Sequence, residues 1–297
     1  MVLQFPDSFL FYHPGALGDN VLTWPIIAAM KQSYPEYHFI GLGNPEILKL
    51  AQHLGLLNNK IDHESPDLLS FWTGKSLPGI LSPVKGAIIW LNDPDPSICL
   101  LKKVCSLPVI QISQKSNRTL PMTQFYWEQI SQHYTIPHPD YIEIHLPGSD
   151  LSPRYIFIHP GSGSPAKNYP VSFYRQIALE ISRYTQHKIA FILGPTEQER
   201  EIENEIMDFP SFKPLNITML SNLLQQAVLF IGNDSGVSHL AGFLGVPTLA
   251  FYKTTNPKIW GVKGKQTTNI LAEDPKKAFI ELLFWLNKNS TRVDLTL

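Results

Sequence analysis

Residues 230–252 read Phe-Ile-Gly-Asn-Asp-Ser-Gly-Val-Ser-His-Leu-Ala-Gly-Phe-Leu-Gly-Val-Pro-Thr-Leu-Ala-Phe-Tyr, and they decide the fold. An apolar run from Ala227 to Ile231 stops at a turn of small and acidic residues, Gly232 to Gly236. Apolar side chains at helical spacing follow, and Gly245-Val246-Pro247 leads into a second apolar run. This order of strand, turn, helix and strand is the unit of a parallel α/β sheet. Free N–H groups and the helix dipole at such a turn favour a phosphate ligand.

The same alternation of strand and helix patterns runs along the whole chain. Besides the segment above, the apolar runs predict strands at 9–13, 38–42, 87–91, 108–112, 155–159 and 188–193. Helical patterns lie at 21–32, 45–53, 122–134, 170–184, 196–207 and 275–288. With 43% hydrophobic residues, the pattern predicts a globular α/β protein.

The length and one Pro-rich stretch predict two domains. The 297 residues suffice for two cores of ordinary size. Residues 136–153 contain four prolines with little apolar periodicity, which is typical of a linker. We therefore expect domains at 1–150 and 151–297, each a doubly wound sheet, facing each other across a central cleft.

The charge and the cysteine content limit the function classes. The net charge is −1, which argues against a nucleic-acid partner held by bulk electrostatics. Residues 1–150 carry a net −4 and residues 151–297 a net +3, so the second half favours an anionic ligand. Two cysteines, no signal-peptide pattern and no long apolar run predict a cytoplasmic protein, with attachment to a membrane surface left open.

The first glycine motif is Gly15-Ala16-Leu17-Gly18-Asp19-Asn20, directly after the first strand. Its glycines allow a sharp turn, and Asp19 falls at the start of a helix at the carboxyl edge of the sheet. Two interpretations of Asp19 stay open from the residues alone. It is either an N-cap carboxylate or a general base at the cleft.

The second motif, residues 159–170, reads His-Pro-Gly-Ser-Gly-Ser-Pro-Ala-Lys-Asn-Tyr-Pro and joins a strand to a helix. Lys167 is suited to meet a phosphate oxygen as a point charge. The Gly-Lys-Ser/Thr ending of a Walker loop is missing. The alternative is an ordinary connection whose Gly and Ser serve turn geometry.

Two further segments contain candidate ligand-binding residues. Asp234 and His239 lie one helical turn apart, beside Ser235 and Gly236; either a ligand site or a helix cap with a core histidine accounts for them. Segment 194–200 offers carboxylates for a ribose or base, or a charged first turn that complements the helix dipole.

No set of residues has convincing metal-ligand spacing. The one Asp-x-Asp sequence, Asp93-Pro94-Asp95, is flanked by Pro96, and we interpret it as a turn. The sequence thus predicts no metal site.

In their order along the chain, these motifs resemble those of glycosyltransferase family 9, the ADP-heptose:lipopolysaccharide heptosyltransferases. Segments 15–25, 159–170 and 232–241 carry the resemblance, and 245–261 extends it. The resemblance implies a GT-B fold of two Rossmann-like domains, with the acceptor on the N-terminal domain and the nucleotide sugar on the C-terminal one. It also implies an inverting transfer without metal or other cofactor.

By the same resemblance, Asp19 would be the general base that deprotonates an acceptor hydroxyl. Lys167 would hold the diphosphate as charge grows on the leaving group. The other donor-binding residues implied by the resemblance are Ser162, Gly163, Glu197, Glu199, Asp234, Ser235, Gly236 and His239.

The sequence therefore predicts a glycosyltransferase. It would move a sugar, heptose by the resemblance, from an ADP-sugar to a saccharide or glycolipid acceptor such as the lipopolysaccharide core, with peripheral contact to the inner membrane as one option. Two rivals remain: a sugar-nucleotide epimerase on the same fold, and a non-catalytic binding or scaffold protein. The acceptor, the donor sugar and the oligomeric state are open.

Overall fold

A computed structural model of the chain describes residues 6–113, 119–141 and 155–289. The chain divides into two compact units, Met1–Pro147 and Gly148–Leu297. The predicted domain boundary at 150/151 and residues 142–153 of the predicted linker lie outside the described residues.

The first unit is built around one parallel sheet of five strands in the order β3-β2-β1-β4-β5. Its elements are β1 Ser8–His13, α1 Leu17–Ser33, β2 His38–Gly43, α2 Pro45–His53, β3 Asn59–Asp62, α3 Leu69–Trp72, β4 Val84–Ile89, α4 Pro96–Val104, β5 Val109–Gln111 and α5 Met122–Ser131. The strand order reverses between β1 and β4, and in doubly wound sheets ligands bind beyond the carboxyl ends of the strands at such a point.

The second unit repeats this plan with six parallel strands in the order β11-β10-β9-β6-β7-β8. Its elements are β6 Tyr155–His159, α6 Val171–Ile181, β7 Lys188–Ile192, α7 Pro195–Glu199, β8 Ser211–Phe212, α8 Ile217–Leu224, β9 Ala227–Asn233, α9 Gly236–Phe243, β10 Thr248–Tyr252, α10 Pro257–Trp260, β11 Thr267–Leu271 and α11 Pro275–Asn289. Here the order reverses between β6 and β9.

Each sheet is the centre of its own core. All six residues of β1 are buried, as expected for a parallel strand covered on both faces. Leu10 and Ile40 belong to the core of the first unit, and Phe191 and Ile231 to that of the second. Among the helices in the described ranges, none combines the length and apolarity needed to cross a lipid bilayer.

Two helices differ by four or more residues at one end from their predicted extents. Helix α1 begins at Leu17, four residues earlier than predicted, and continues through Pro25. A proline within a helix removes one backbone hydrogen bond, and the buried apolar residues around Pro25 hold this helix together. The helix predicted at 196–207 ends at Glu199 because Glu201 adopts a left-handed backbone conformation (φ 53°), and a 3₁₀ helix, Ile202–Glu205, follows.

Candidate active site

The reversal point of the second sheet brings two of the predicted residues into direct contact. Lys167 ends a 3₁₀ helix, Pro165–Lys167, in the loop after β6, and Asp234 directly follows β9. The Lys167 Nζ donates to Asp234 Oδ2 at 2.7 Å, although 67 positions separate the two residues. They meet because β6 and β9 are neighbours in the sheet.

Asp234 is held as a carboxylate in a nearly buried position, 5% exposed. Burial acts to raise its pKa, but the interactions with His239, Lys167 and Thr255 outweigh burial and lower the pKa to about 2. The His239 Nε2 lies 3.8 Å from Asp234 Oδ1. The site therefore contains a buried negative charge at neutral pH, with a cation against it.

The N-cap of α9 is Ser235, whose Oγ accepts a hydrogen bond from the Ser238 N–H at 3.3 Å. The alternative that Asp234 caps this helix is thus wrong. Gly236 is the first helical residue, so the positive end of the helix dipole lies next to the Lys167–Asp234 pair. The carboxylate of Asp234 is therefore paired with a side chain, that of Lys167.

Buried hydrogen bonds fix the loop that carries Lys167. The Asn233 Nδ2 donates to Pro160 O at 2.7 Å, and the Tyr174 hydroxyl donates to Asn233 Oδ1. The Ser162 hydroxyl donates a hydrogen bond to Asn168 Oδ1 at 2.5 Å. An added Cβ on Gly163 would meet nothing within 4 Å, so this residue faces open space.

The two glutamates of segment 194–200 lie in different surroundings. Glu197 is buried, and its Oε2 accepts a hydrogen bond from the Gly194 N–H at 2.9 Å, which closes the start of α7. A Cβ on Gly161 would lie 1.8 Å from Glu197 Oε1, so this carboxylate packs directly against the second glycine motif. Glu199 is exposed.

Sequence reasoning missed three residues of this site. Asn233 and Tyr174 are buried and act through contacts that no local pattern reveals. Lys253, the first residue after β10, places its Nζ 3.5 Å from Asn168 O. The sequence could have indicated Lys253 as a site residue, because it follows a strand that is predicted to end at the same sheet edge as β9.

In the first unit, the predicted base lies at the reversal point between β1 and β4. The N-cap of α1 is Ala16, so Asp19 is the third residue of the helix and the N-cap interpretation is wrong. A Cβ on Gly15 would lie 3.1 Å from Asp19 Oδ2 and 2.5 Å from His13 Cε1. Both side chains therefore converge on Gly15.

His13 is a buried neutral imidazole. Its Nδ1 accepts a hydrogen bond from the Gly15 N–H at 2.9 Å, which fixes the start of the glycine motif. Burial lowers the pKa of His13 to about 4. The imidazole is therefore uncharged at neutral pH.

Asp95 of the Asp-x-Asp sequence caps α4, with Oδ1 accepting from the Ser97 N–H at 2.8 Å. Within the described ranges, no group of three or more His, Cys, Asp or Glu side chains is arranged to hold a metal ion. The expectation that no metal is required stays a prediction.

Comparison with known proteins settles the family. The model of "Glycosyltransferase family 9 (heptosyltransferase)" matches residues 113–281, more than half of the chain. The chain belongs to glycosyltransferase family 9. The matched range includes the Lys167 loop and the Asp234 turn, and the resemblance inferred from the motifs is confirmed.

A curated relative supports the assignment over a shorter stretch. The lipopolysaccharide core heptosyltransferase OpsX of Haemophilus influenzae is 29% identical over 114 residues, 36% of this chain and 33% of the relative. The chain thus spans about a third of the length of the curated relatives it matches.

Solved structures extend the likeness to nearly the whole fold. The alignment with the family 9 glycosyl transferase of Veillonella parvula covers 94% of this chain and 92% of that protein, with a TM-score of 0.73 and 16% identity. The alignment with Escherichia coli heptosyltransferase WaaC, solved with ADP, covers 93% of this chain and 99% of WaaC, with a TM-score of 0.70 and 15% identity. The predicted GT-B fold of two Rossmann-like domains is confirmed.

Proposed function

We propose that this family 9 protein transfers a sugar, heptose, from ADP-heptose to a saccharide acceptor of the lipopolysaccharide core. The observation that carries the proposal is the cluster of Lys167, the ionised Asp234 and the start of α9 at the reversal point of the second sheet. The relatives named above, one a lipopolysaccharide core heptosyltransferase and one solved with ADP, support the choice of donor and acceptor.

The donor diphosphate would lie against Lys167 and the N-terminal end of α9. A cation and a helix dipole both stabilise a diphosphate, and both gain strength as charge grows on the leaving group. Asp234 would then accept hydrogen bonds from sugar hydroxyls, and His239 would donate hydrogen bonds to them. Glu197, buried beside Gly161, is the carboxylate we assign to the nucleoside.

Asp19 is the proposed general base. It takes the proton of an acceptor hydroxyl as that oxygen attacks the anomeric carbon from the side opposite the diphosphate. The bond from the anomeric carbon to the diphosphate oxygen breaks, ADP leaves, and the configuration inverts. Lys167 and the helix dipole meet the new charge on ADP, so the proposed transfer needs no metal.

The acceptor and the cellular location follow from the same proposal. A lipopolysaccharide core is a saccharide carried on a lipid. The enzyme would therefore work in the cytoplasm at the inner face of the membrane, with peripheral contact only. Its partners would be the nucleotide-sugar donor and the glycolipid acceptor, and no nucleic acid.

A product assay tests this function. Purified protein is incubated with ADP-heptose with and without a heptose-deficient lipopolysaccharide core, and ADP release and the acceptor mass are both measured. We expect ADP release and a gain of one heptose only when the acceptor is present. An altered sugar nucleotide without acceptor would instead identify an epimerase, and no change in either compound would favour a binding protein.

The Asp19→Asn variant tests the assigned base. Turnover should fall at least about a hundredfold, because general-base catalysis contributes that much, while ADP binding is kept. Asp67→Asn, at an exposed aspartate of the same unit, is the matched control and should keep full activity. Turnover retained in Asp19→Asn would refute the role of Asp19.

A further inference from the structure

Lys253 lies at the same edge of the second sheet as the Lys167–Asp234 pair. It is the first residue after β10, and β10 runs beside β9 with Phe251 opposite Asn233. The Asp234 N–H donates to Phe251 O at 2.8 Å, which ties the two strand ends together. Two residues further on, the Thr255 side chain helps to lower the pKa of the Asp234 carboxyl.

The ammonium of Lys253 has no counter-ion in the described part of the chain. Its Nζ contacts the carbonyl oxygen of Asn168 at 3.5 Å, and none of the described carboxylates pairs with it. The nearby carboxylate of Asp234 is already paired with Lys167, whose Nζ lies 2.7 Å from Asp234 Oδ2. A half-buried cation without a counter-ion favours an anionic ligand, which would pair with its charge.

Lys253 also lines a pocket. The pocket has a volume of about 340 Å³, and Pro160 and Asn168 of the second glycine motif form part of its wall. Its other charged residues, Arg200 and Glu205, have opposite signs, so Lys253 leaves the pocket with a net positive charge.

A charge count shows what Lys253 adds. The sugar diphosphate of a donor carries about two negative charges, and the free diphosphate after transfer carries about one more. The charge of Lys167 is already matched by Asp234 at 2.7 Å, so the pair is close to neutral. Lys253 contacts this loop through Asn168 O, and its charge is not matched by a carboxylate within the described residues.

We propose that Lys253 is a second phosphate-binding side chain, which contacts the donor diphosphate and stabilises ADP as it leaves. This inference rests on the proposed function. It adds Lys253 to Lys167 as a second cation against the diphosphate, because Asp234 already matches the charge of Lys167.

Titration calorimetry with ADP, AMP and adenosine tests the role. Lys253→Gln should weaken ADP binding about tenfold, since a hydrogen bond to a charged group contributes that much, and should leave adenosine binding unchanged. The loss should shrink at high salt, because salt screens the lost charge. Lys253→Arg should restore most of the ADP affinity.

Lys258→Gln is the matched control, because it removes an exposed lysine on α10 only five positions away. It should bind ADP like the wild type. Equal losses in the two glutamine variants, or equal losses for ADP and adenosine in Lys253→Gln, would overturn the assignment.

The result for the wild type separates this inference from the proposed function. ADP binding that is weakened by Lys167→Ala but unchanged in Lys253→Gln would reject the role of Lys253 and leave the transferase proposal standing. A wild-type protein that binds neither ADP nor ADP-heptose would reject the proposed function, and the role of Lys253 with it.

Discussion

The Asp234→Asn substitution removes a buried negative charge and keeps the size of the side chain. In the wild type, burial acts to raise the pKa of Asp234, and the interactions with His239, Lys167 and Thr255 lower it to about 2. The pKa of an unperturbed aspartate is about 4. The carboxylate thus contributes about 2.5 kcal/mol to the free energy of unfolding at neutral pH. We expect Asp234→Asn to lose about that amount.

The sign of the shift fixes the pH dependence of this loss. Because the folded-state pKa lies below the unfolded one, the contribution is complete above about pH 5 and disappears as the pH falls towards about 2. At about pH 3 the difference between wild type and variant should be roughly half of its value at pH 7.

Urea denaturation at pH 7 and pH 3, followed by circular dichroism, measures both differences. Hydrogen exchange of the β9 amides at pH 7 locates the loss in the second unit. A variant as stable as the wild type at pH 7 would refute the reasoning. A loss of unfolding free energy of the same size at pH 7 and pH 3 would also refute it, because such a loss would not come from the ionisation of Asp234.

Three further predictions follow from the same contacts. Lys167→Ala should weaken ADP binding by about tenfold or more in calorimetry, since it removes the cation beside α9; an unchanged dissociation constant would count against this role. The wild type should lose about 3 kcal/mol of unfolding free energy as the pH falls from about 6.5 to about 4, because buried His13, with its pKa lowered to about 4, takes up its proton only on unfolding. His13→Gln should remove that slope in urea titrations, and an unaltered slope would assign it to other groups. Gly161→Ala should cost about 1–3 kcal/mol, because its Cβ would lie 1.8 Å from Glu197 Oε1. Glu197→Ala should relieve much of that cost in a double-mutant cycle, whereas additive losses would contradict the contact.

The parts of the fold that could be predicted are those whose signal is local. Buried parallel strands are nearly continuous apolar runs, so β1, β2, β6, β9 and β10 could be found from the sequence. The edge strand β11, Thr267–Leu271, was missed because it is only partly buried and reads as a mixed segment. The early end of α7 was missed because the left-handed conformation of Glu201 leaves no mark in the pattern of apolar residues.

The candidate site divides in the same way. Asp19, Lys167 and Asp234 could be selected because each follows a predicted strand, where parallel sheets expose their ligand-binding loops. That Lys167 contacts Asp234 could not be derived, because the contact depends on β6 and β9 being neighbours. The hydrogen bonds of Asn233 and Tyr174 could not be predicted for the same reason, since they join segments about 60 to 70 positions apart in the sequence.

Calorimetric titration of the purified protein with ADP, ADP-heptose, UDP, UDP-glucose and GDP, with and without Mg²⁺, tests the central claim most directly. The proposed donor site predicts binding of ADP and ADP-heptose alone, without Mg²⁺, and a clear loss of that binding in Lys167→Ala. A preference for UDP-sugars would contradict the ADP-heptose assignment while leaving the fold in place. No binding of any nucleotide would contradict the claim that the loop of Lys167 and the turn of Asp234 form a donor site.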